Sequence, residues 1–166
     1  MTIRPATEND VKNISLTYVH NHRTTYKNLL SEEYFRTLTE ELAFEKWQTY
    51  IKDCKNKVWV AEDDTGFLGF AASMPDEELS GTWYLDSLHV CESARNKGVG
   101  TALRNTVGKY ALCNKYEKMS ICIVIGNKNA DKLYRKLGAE HLKYFTGKMA
   151  KSEKLIWKNL KIFEKI

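Results

Sequence analysis

Between Trp83 and Gly138 the sequence switches repeatedly between two periodicities, which restricts the chain to a layered sheet with helices packed on it. "TWYLDSLHV" is a continuous aromatic and aliphatic run, read as a central strand over Trp83–Val90. Beyond the glycine-bearing segment "ARNKGVG", Val99, Leu103, Val107 and Tyr110/Ala111 recur every three or four residues, the stripe of an amphipathic helix about four turns long. "MSICIVIG" is β-branched and apolar without alternation, as in a strand covered on both faces. Ala130, Leu133, Tyr134 and Leu137 return to helical spacing, and Gly138 stands where a helix C-terminus takes a left-handed residue.

The flanking segments supply further layers. Thr2–Arg4 reads as a short strand stopped by Pro5, then a helix in which Val11, Ile14 and Tyr18 share a face behind the capping candidates Thr7 and Asn9. Ser31 with Glu32 and Glu33 opens another helix, because a hydroxyl cap and two acids suit the positive end of the dipole. Leu42/Ala43, Trp47 and Tyr50/Ile51 make the stripe of the next. "KVWVAED" and "FLGFAAS", joined by Asp63-Asp64-Thr65-Gly66, predict a hairpin, and Met74–Gly81 predicts a loop. His141–Thr146 and Lys154–Trp157 read as a closing pair of strands. The order is that of an α/β or α+β fold with a mixed sheet. With 166 residues, two prolines and no internal repeat, one domain over residues 1–166 is expected.

Composition removes several function classes. No run of about 18 apolar residues exists to span a bilayer. The opening "MTIRPATEND" lacks the apolar stretch of a secretory signal, so a cytoplasmic address is expected. Four cysteines without C-x-x-C pairing predict neither a zinc cluster nor a disulfide framework, but reduced and mostly buried thiols; no metal is expected. The net charge of +5 suits an anionic small molecule, yet it forms no basic stripe, and no helix-turn-helix signal accompanies it, so nucleic acid is not the expected partner.

A strand running into a glycine turn and then a helix gathers unpaired N–H groups and the positive end of a helix dipole at one point. Glycine lets phosphate oxygens approach those amides, and Arg95 and Lys97 add charge-assisted donors, so the segment reads as a diphosphate cradle. The simpler reading is a chain reversal with solvated basic residues. A P-loop would need G-K-[ST], where Gly100 is followed by Thr101-Ala102. A dinucleotide fingerprint would need a small residue at 103, which is Leu103, and an acid ending the next strand, where Ile125-Gly126 stands.

Arg95-Asn96-Lys97-Gly98-Val99-Gly100 matches [RQ]-x-x-G-x-[GA], the acetyl-CoA motif of the GNAT N-acetyltransferase superfamily, and "LDSLHV" before it is similar to that family's central strand. A second motif follows in the same order and separation. Asn127-x-x-Ala130-x-x-Leu133-Tyr134-x-x-x-Gly138 resembles N-x-x-A-x-x-[LF]-Y-x-x-x-G-F, with Ala139 in place of the aromatic. "IRPATENDV" and "TTYKNLLSEEYF" resemble the start of bacterial members, so the resemblance runs from about Thr2 to Trp157. It implies a GNAT-like α/β (α+β) fold with a mostly antiparallel twisted sheet, a splayed parallel pair at Trp83–Val90 and Met119–Ile125, and often a homodimer. It further implies main-chain contacts from Leu88, His89 and Val90 to the pantetheine arm of acetyl-CoA. Arg95, Asn96, Lys97, Gly98, Val99, Gly100 and Thr101 would take the pyrophosphate, and Asn127 would touch the cofactor. Tyr134 would be the general acid that protonates the leaving thiolate; the competing reading is a core aromatic.

An acceptor amine must lose a proton before it attacks, and Asp86 is the candidate base, with a purely structural acid as the alternative. Strand alternation predicts that Asp86 shares a face with Tyr84 and Leu88, opposite His89. His89 and Glu92 are secondary candidates. Cys91 and Cys122 would flank the cleft without a base to activate them, so direct transfer to the amine is expected. Tyr18, His22, Tyr26, Tyr34 and Trp47 are candidate acceptor-lining residues, and Asp76-Glu77-Glu78 is an acidic loop able to attract a cationic amine. Polyamines, aminoglycosides, amino acids and protein N-termini all remain open as acceptors, as does a non-catalytic acyl-CoA-binding sensor.

Overall fold

The computed structural model describes residues 1–147 and 149–164. Among these, the strands are β1 Thr2–Pro5, β2 Lys57–Asp63, β3 Gly66–Pro75, β4 Thr82–Val90, β5 Lys118–Val124, β6 Glu140–Thr146 and β7 Lys151–Trp157. The helices are α1 Val11–Thr25, α2 Glu32–Thr37, α3 Glu40–Lys52, α4 Val99–Cys113 and α5 Lys128–Lys136. The strands form one sheet in the order β1-β2-β3-β4-β5-β7-β6. β4 and β5 run parallel, and the other neighbours run antiparallel. This is the mixed sheet with one parallel pair that the resemblance implies.

Local chemistry sets the element boundaries. Ser31 Oγ accepts the Tyr34 N–H at 3.2 Å to start α2, and Thr39 Oγ1 accepts the Leu42 N–H at 3.2 Å to start α3. In the β2–β3 turn Asp63 Oδ1 accepts both the N–H and the hydroxyl of Thr65, at 2.8 and 2.6 Å. Sequence and structure part at a few places. Met74 and Pro75 belong to β3, because Pro75 pairs with Trp83 at the strand end, where its missing N–H costs nothing; the loop begins at Asp76. Cys54 and Cys113 are exposed rather than buried, and Leu42 lies outside the α3 stripe, 52% exposed.

The sheet carries a core on each face. One holds Trp83, Leu85, Leu103, Val107, Met119, Leu155, Trp157 and Phe163 under α4, α5 and the C-terminal turn, and the other holds Val11, Ile14, Trp47, Val60 and Phe70 under α1 and α3. An edge strand, β6, is exposed along Glu140–Tyr144. No helix among the described residues is long and apolar enough to cross a membrane.

Candidate active site

β4 and β5 hold together only from Thr82–Leu85 to Lys118–Ile121. Beyond that point β4 stays with β3 as far as Val90, and β5 stays with β7 as far as Val124, so the parallel pair splays apart. The opening forms a cleft of about 1150 Å³ between the two strands and under α1.

A β-bulge decides what β4 presents there. Ser73 opposes Leu85 and Ala72 opposes Ser87, so Asp86 is an extra residue with no partner on β3. The inserted residue shifts the alternation by one. Leu88 and Val90 therefore pack with Trp83 and Leu85 against the α4 core, while Asp86 and His89 both face α1 and α3. The expectation that Asp86 lies with Leu88 and opposite His89 is thus reversed. The Cys91 N–H bonds Leu68 O on β3, so by period-two geometry the main-chain groups of Leu88 and Val90 point to the other edge, which β5 has left. Asn21 Nδ2 donates to Val90 O at 3.1 Å. The Asn21 Oδ1 atom in turn accepts Arg95 Nη2 at 2.7 Å, which fixes the guanidinium at the cleft while sparing its other donors.

At the mouth of the cleft the chain turns through Asn96 (φ 62°) and Gly98 (φ 83°), both left-handed, before α4 begins. The first intrahelical bond runs from the Ala102 N–H to Gly98 O at 3.0 Å, and Gly98 offers no side-chain cap. The N–H groups of Val99, Gly100 and Thr101 thus form an uncapped 15-residue helix start, the arrangement that binds a phosphate. A Cβ on Gly100 would meet Leu88 and Val90 at an ordinary 3.5 Å, so the protein's own packing does not demand glycine there. Gly100→Ala is expected to keep the melting temperature and to weaken acetyl-CoA binding about tenfold, as read by calorimetry. Lys97 is exposed beside this turn.

Tyr134 lies on α5 against the edge of Trp157, ring centroids 5.9 Å apart, and lines the cleft opposite Leu88 and Val90. Burial raises its pKa. Asn127 caps α5, accepting the Ala130 N–H at 3.2 Å, and donates to the Tyr26 hydroxyl at 3.3 Å. Both ends of its amide are thereby engaged by the protein. Burial raises the Asp86 carboxyl above the ordinary range, partly offset by Lys46 and by the Ser87 hydroxyl at 3.0 Å.

Of the predicted acceptor residues, Tyr18 and His22 line the cleft from α1, and Tyr26 lines it from just past the end of that helix. Trp47 does not: it is fully buried in the core behind Tyr18. Tyr34 stands behind His22. Cys122 lines the cleft on β5, whereas Cys91 turns to Thr17 and Phe67 O. Glu92 is exposed beside His20. Burial drives the His22 pKa down to about 4, and its Nδ1–H donates to Tyr18 O at 2.9 Å. Because an unfolded histidine protonates near pH 6.5, stability is expected to fall as pH drops from about 6.5 towards 4, by at most about 3 kcal/mol from this group. Urea midpoints at pH 7.5 and 4.5 check this, and His22→Gln should lose less than the wild type.

Two residues of the cleft, and a buried cation behind it on α4, escaped the sequence reading. Asn21 and Lys46 lay on helices read only for their apolar stripes. Arg104 is 3% exposed, with its guanidinium 4.8 Å from the Phe163 ring and 5.9 Å from that of Trp157. Its Nε has no partner among the described residues; burial pushes its pKa down to about 10, so it stays cationic and opposes the rise at Tyr134. An arginine inside the apolar stripe of α4, next to Leu103, was the signal.

A family model described as "Acetyltransferase (GNAT) family" matches residues 23–139. An uncharacterized N-acetyltransferase of Bacillus subtilis (strain 168), YuaI, is 27% identical over 132 residues, covering 76% of this chain and 73% of that one. The crystal structure of a ribosomal-protein-alanine N-acetyltransferase from Brucella melitensis superposes with a TM-score of 0.76 at 22% identity, over 95% of this chain and 99% of that one. The PaiA N-acetyltransferase of Thermoplasma acidophilum, crystallised with coenzyme A, gives 0.77 at 18% identity over the same shares.

Proposed function

Since the chain belongs to the GNAT family of acetyltransferases, we propose that it moves the acetyl group of acetyl-CoA directly to a primary amine of a small molecule or peptide. The observation that carries this reading is the splay between β4 and β5, with an uncapped helix start at its mouth and Tyr134 on its wall. The whole chain, residues 1–166, acts as one N-acetyltransferase domain.

Acetyl-CoA supplies the acetyl group as an activated thioester. The α4 amides and Arg95, Asn96, Lys97, Gly98, Val99, Gly100 and Thr101 hold its pyrophosphate, and the main chain of Leu88 and Val90 holds its pantetheine arm. His89 contributes its neutral ring to the acceptor wall, since burial holds its pKa well below the usual value. Asn127 keeps Tyr26 in place beside the cofactor's path. Asp86 accepts the proton that the acceptor ammonium must lose, and its raised pKa brings it closer to that task. Tyr134 donates a proton to the departing thiolate. Burial raises the proton affinity of phenolate and thiolate alike, so the balance between them survives desolvation.

Release of CoA thiol from acetyl-CoA across a panel of amines tests the assignment. Tight acetyl-CoA binding with no turnover on any amine would instead indicate an acyl-CoA sensor; the paired placement of Tyr134 and Asp86 on one cleft favours the enzyme. We also place the protein in the cytoplasm as a homodimer joined near β6, whose Leu142 and Tyr144 are exposed, at 36% and 64%. Light scattering at micromolar concentration checks the dimer.

A further inference from the structure

The acceptor end of the cleft holds two sets of charges that differ in one respect: one set cancels internally and the other does not. Asp76 and Lys154 are both nearly inaccessible, with the Lys154 Nζ 2.8 Å from Asp76 Oδ2. The Ser120 hydroxyl and the Glu78 and Leu79 N–H groups complete the Asp76 shell. Glu78 Oε2 lies 3.0 Å from both Lys154 and Lys143. Two acids thus face two lysines, and Glu77 is exposed at the edge of the cleft. Of the three acids in the loop that looked able to attract a cationic amine, two are already neutralised.

Across the cleft, Lys46 and Asp86 are unmatched. The Lys46 ammonium sits 4.4 Å above the Tyr18 ring and 4.9 Å from that of Trp47, and donates to the Tyr18 hydroxyl at 3.1 Å. Among the described residues it makes no salt bridge. Asp86 lies near enough to feel its charge without bonding to it. The histidines packed against Tyr18, His22 and His89, are neutral at physiological pH and add nothing to the balance.

A separated cation and anion on one wall match a zwitterion. Resting on the acetyltransferase reading above, we infer that the acceptor is an amino acid or a similar amino carboxylate, with its carboxylate on Lys46 and its amine proton going to Asp86. A polyamine fits poorly, because its second ammonium would meet Lys46 with only the exposed Glu77 left to balance it. The aromatic rings of Tyr18, His22 and Tyr26 give the acceptor's side chain an apolar wall.

Matched pairs differing only in the carboxylate test this: phenylalanine against phenethylamine, and leucine against 3-methylbutylamine. With acetyl-CoA saturating, kcat/KM is measured by CoA release and corrected for the fraction of neutral amine. The amino acid of each pair should be preferred by about 10- to 100-fold, the worth of a hydrogen bond to a charged group. Lys46→Met should collapse that ratio, and Lys46→Arg should restore most of it. Wild-type preference for the plain amine, or a ratio that Lys46→Met leaves intact, overturns the inference. Turnover of spermidine with no amino acid acetylated overturns it too, and leaves the acetyltransferase reading standing; no turnover on any amine removes both.

Discussion

Tyr134→Phe should lower kcat by about 100-fold or more while KM for acetyl-CoA changes little, because the substitution removes one proton and keeps the ring. The packing argument is favourable to this test. The Tyr134 ring meets Trp157 edge-on, an aromatic contact that phenylalanine reproduces. Thermal stability should therefore be retained, and a loss of kcat with an unchanged melting temperature separates an acid from a core aromatic. If Tyr134→Phe turned over at the wild-type rate, the general-acid role would be refuted. Arg104 supplies the electrostatic background: a buried cation on α4 that stabilises a phenolate more than a phenol.

Asp86→Asn carries the second large effect, a fall in kcat/KM of about 100-fold or more together with a changed pH profile. Burial raises the Asp86 pKa, so the wild-type acid limb should lie above the ordinary carboxylate value, with activity lost as pH falls through it. Asparagine keeps the size and can still meet the Ser87 hydroxyl, but it cannot take a proton, so that limb should vanish. An Asp86→Asn profile parallel to the wild type would exclude this carboxylate and return attention to water or to a group on the acceptor.

The parts of the molecule that were readable in advance are those with a local cause. The β2–β3 hairpin follows from an Asp/Gly turn between two β-rich runs, and α4 and α5 follow from stripes of three and four. Both glycines at helix ends, Gly98 before α4 and Gly138 after α5, have the positive φ that their positions require. What sequence could not yield is set by distant partners. The pairing of Arg95 with Asn21 spans 74 residues, and that of Lys154 with Asp76 spans 78. Trp47 and Tyr18 share helical spacing patterns, yet only contact with Phe70 decides that Trp47 is interior and Tyr18 reaches the cleft. Lys46 reaches the cleft because a long side chain bends around the Tyr18 ring, which no periodicity records.

The unpaired residue at Asp86 makes β4 one residue longer than its ladder with β3 requires. Deleting any one residue between Leu85 and Leu88 would let the ladder with β3 close without interruption. It would also leave Trp83, Leu85, Leu88 and Val90 on the α4 face, because the bulge already holds both sides of the cut in the pairing of an unbroken strand, so a cut at Asp86 removes the carboxylate and nothing else. Deleting Asp86 should thus give a better-knit sheet that has lost its acid, whereas deleting Ser87 would draw Asp86 into the paired position on the same side of the sheet.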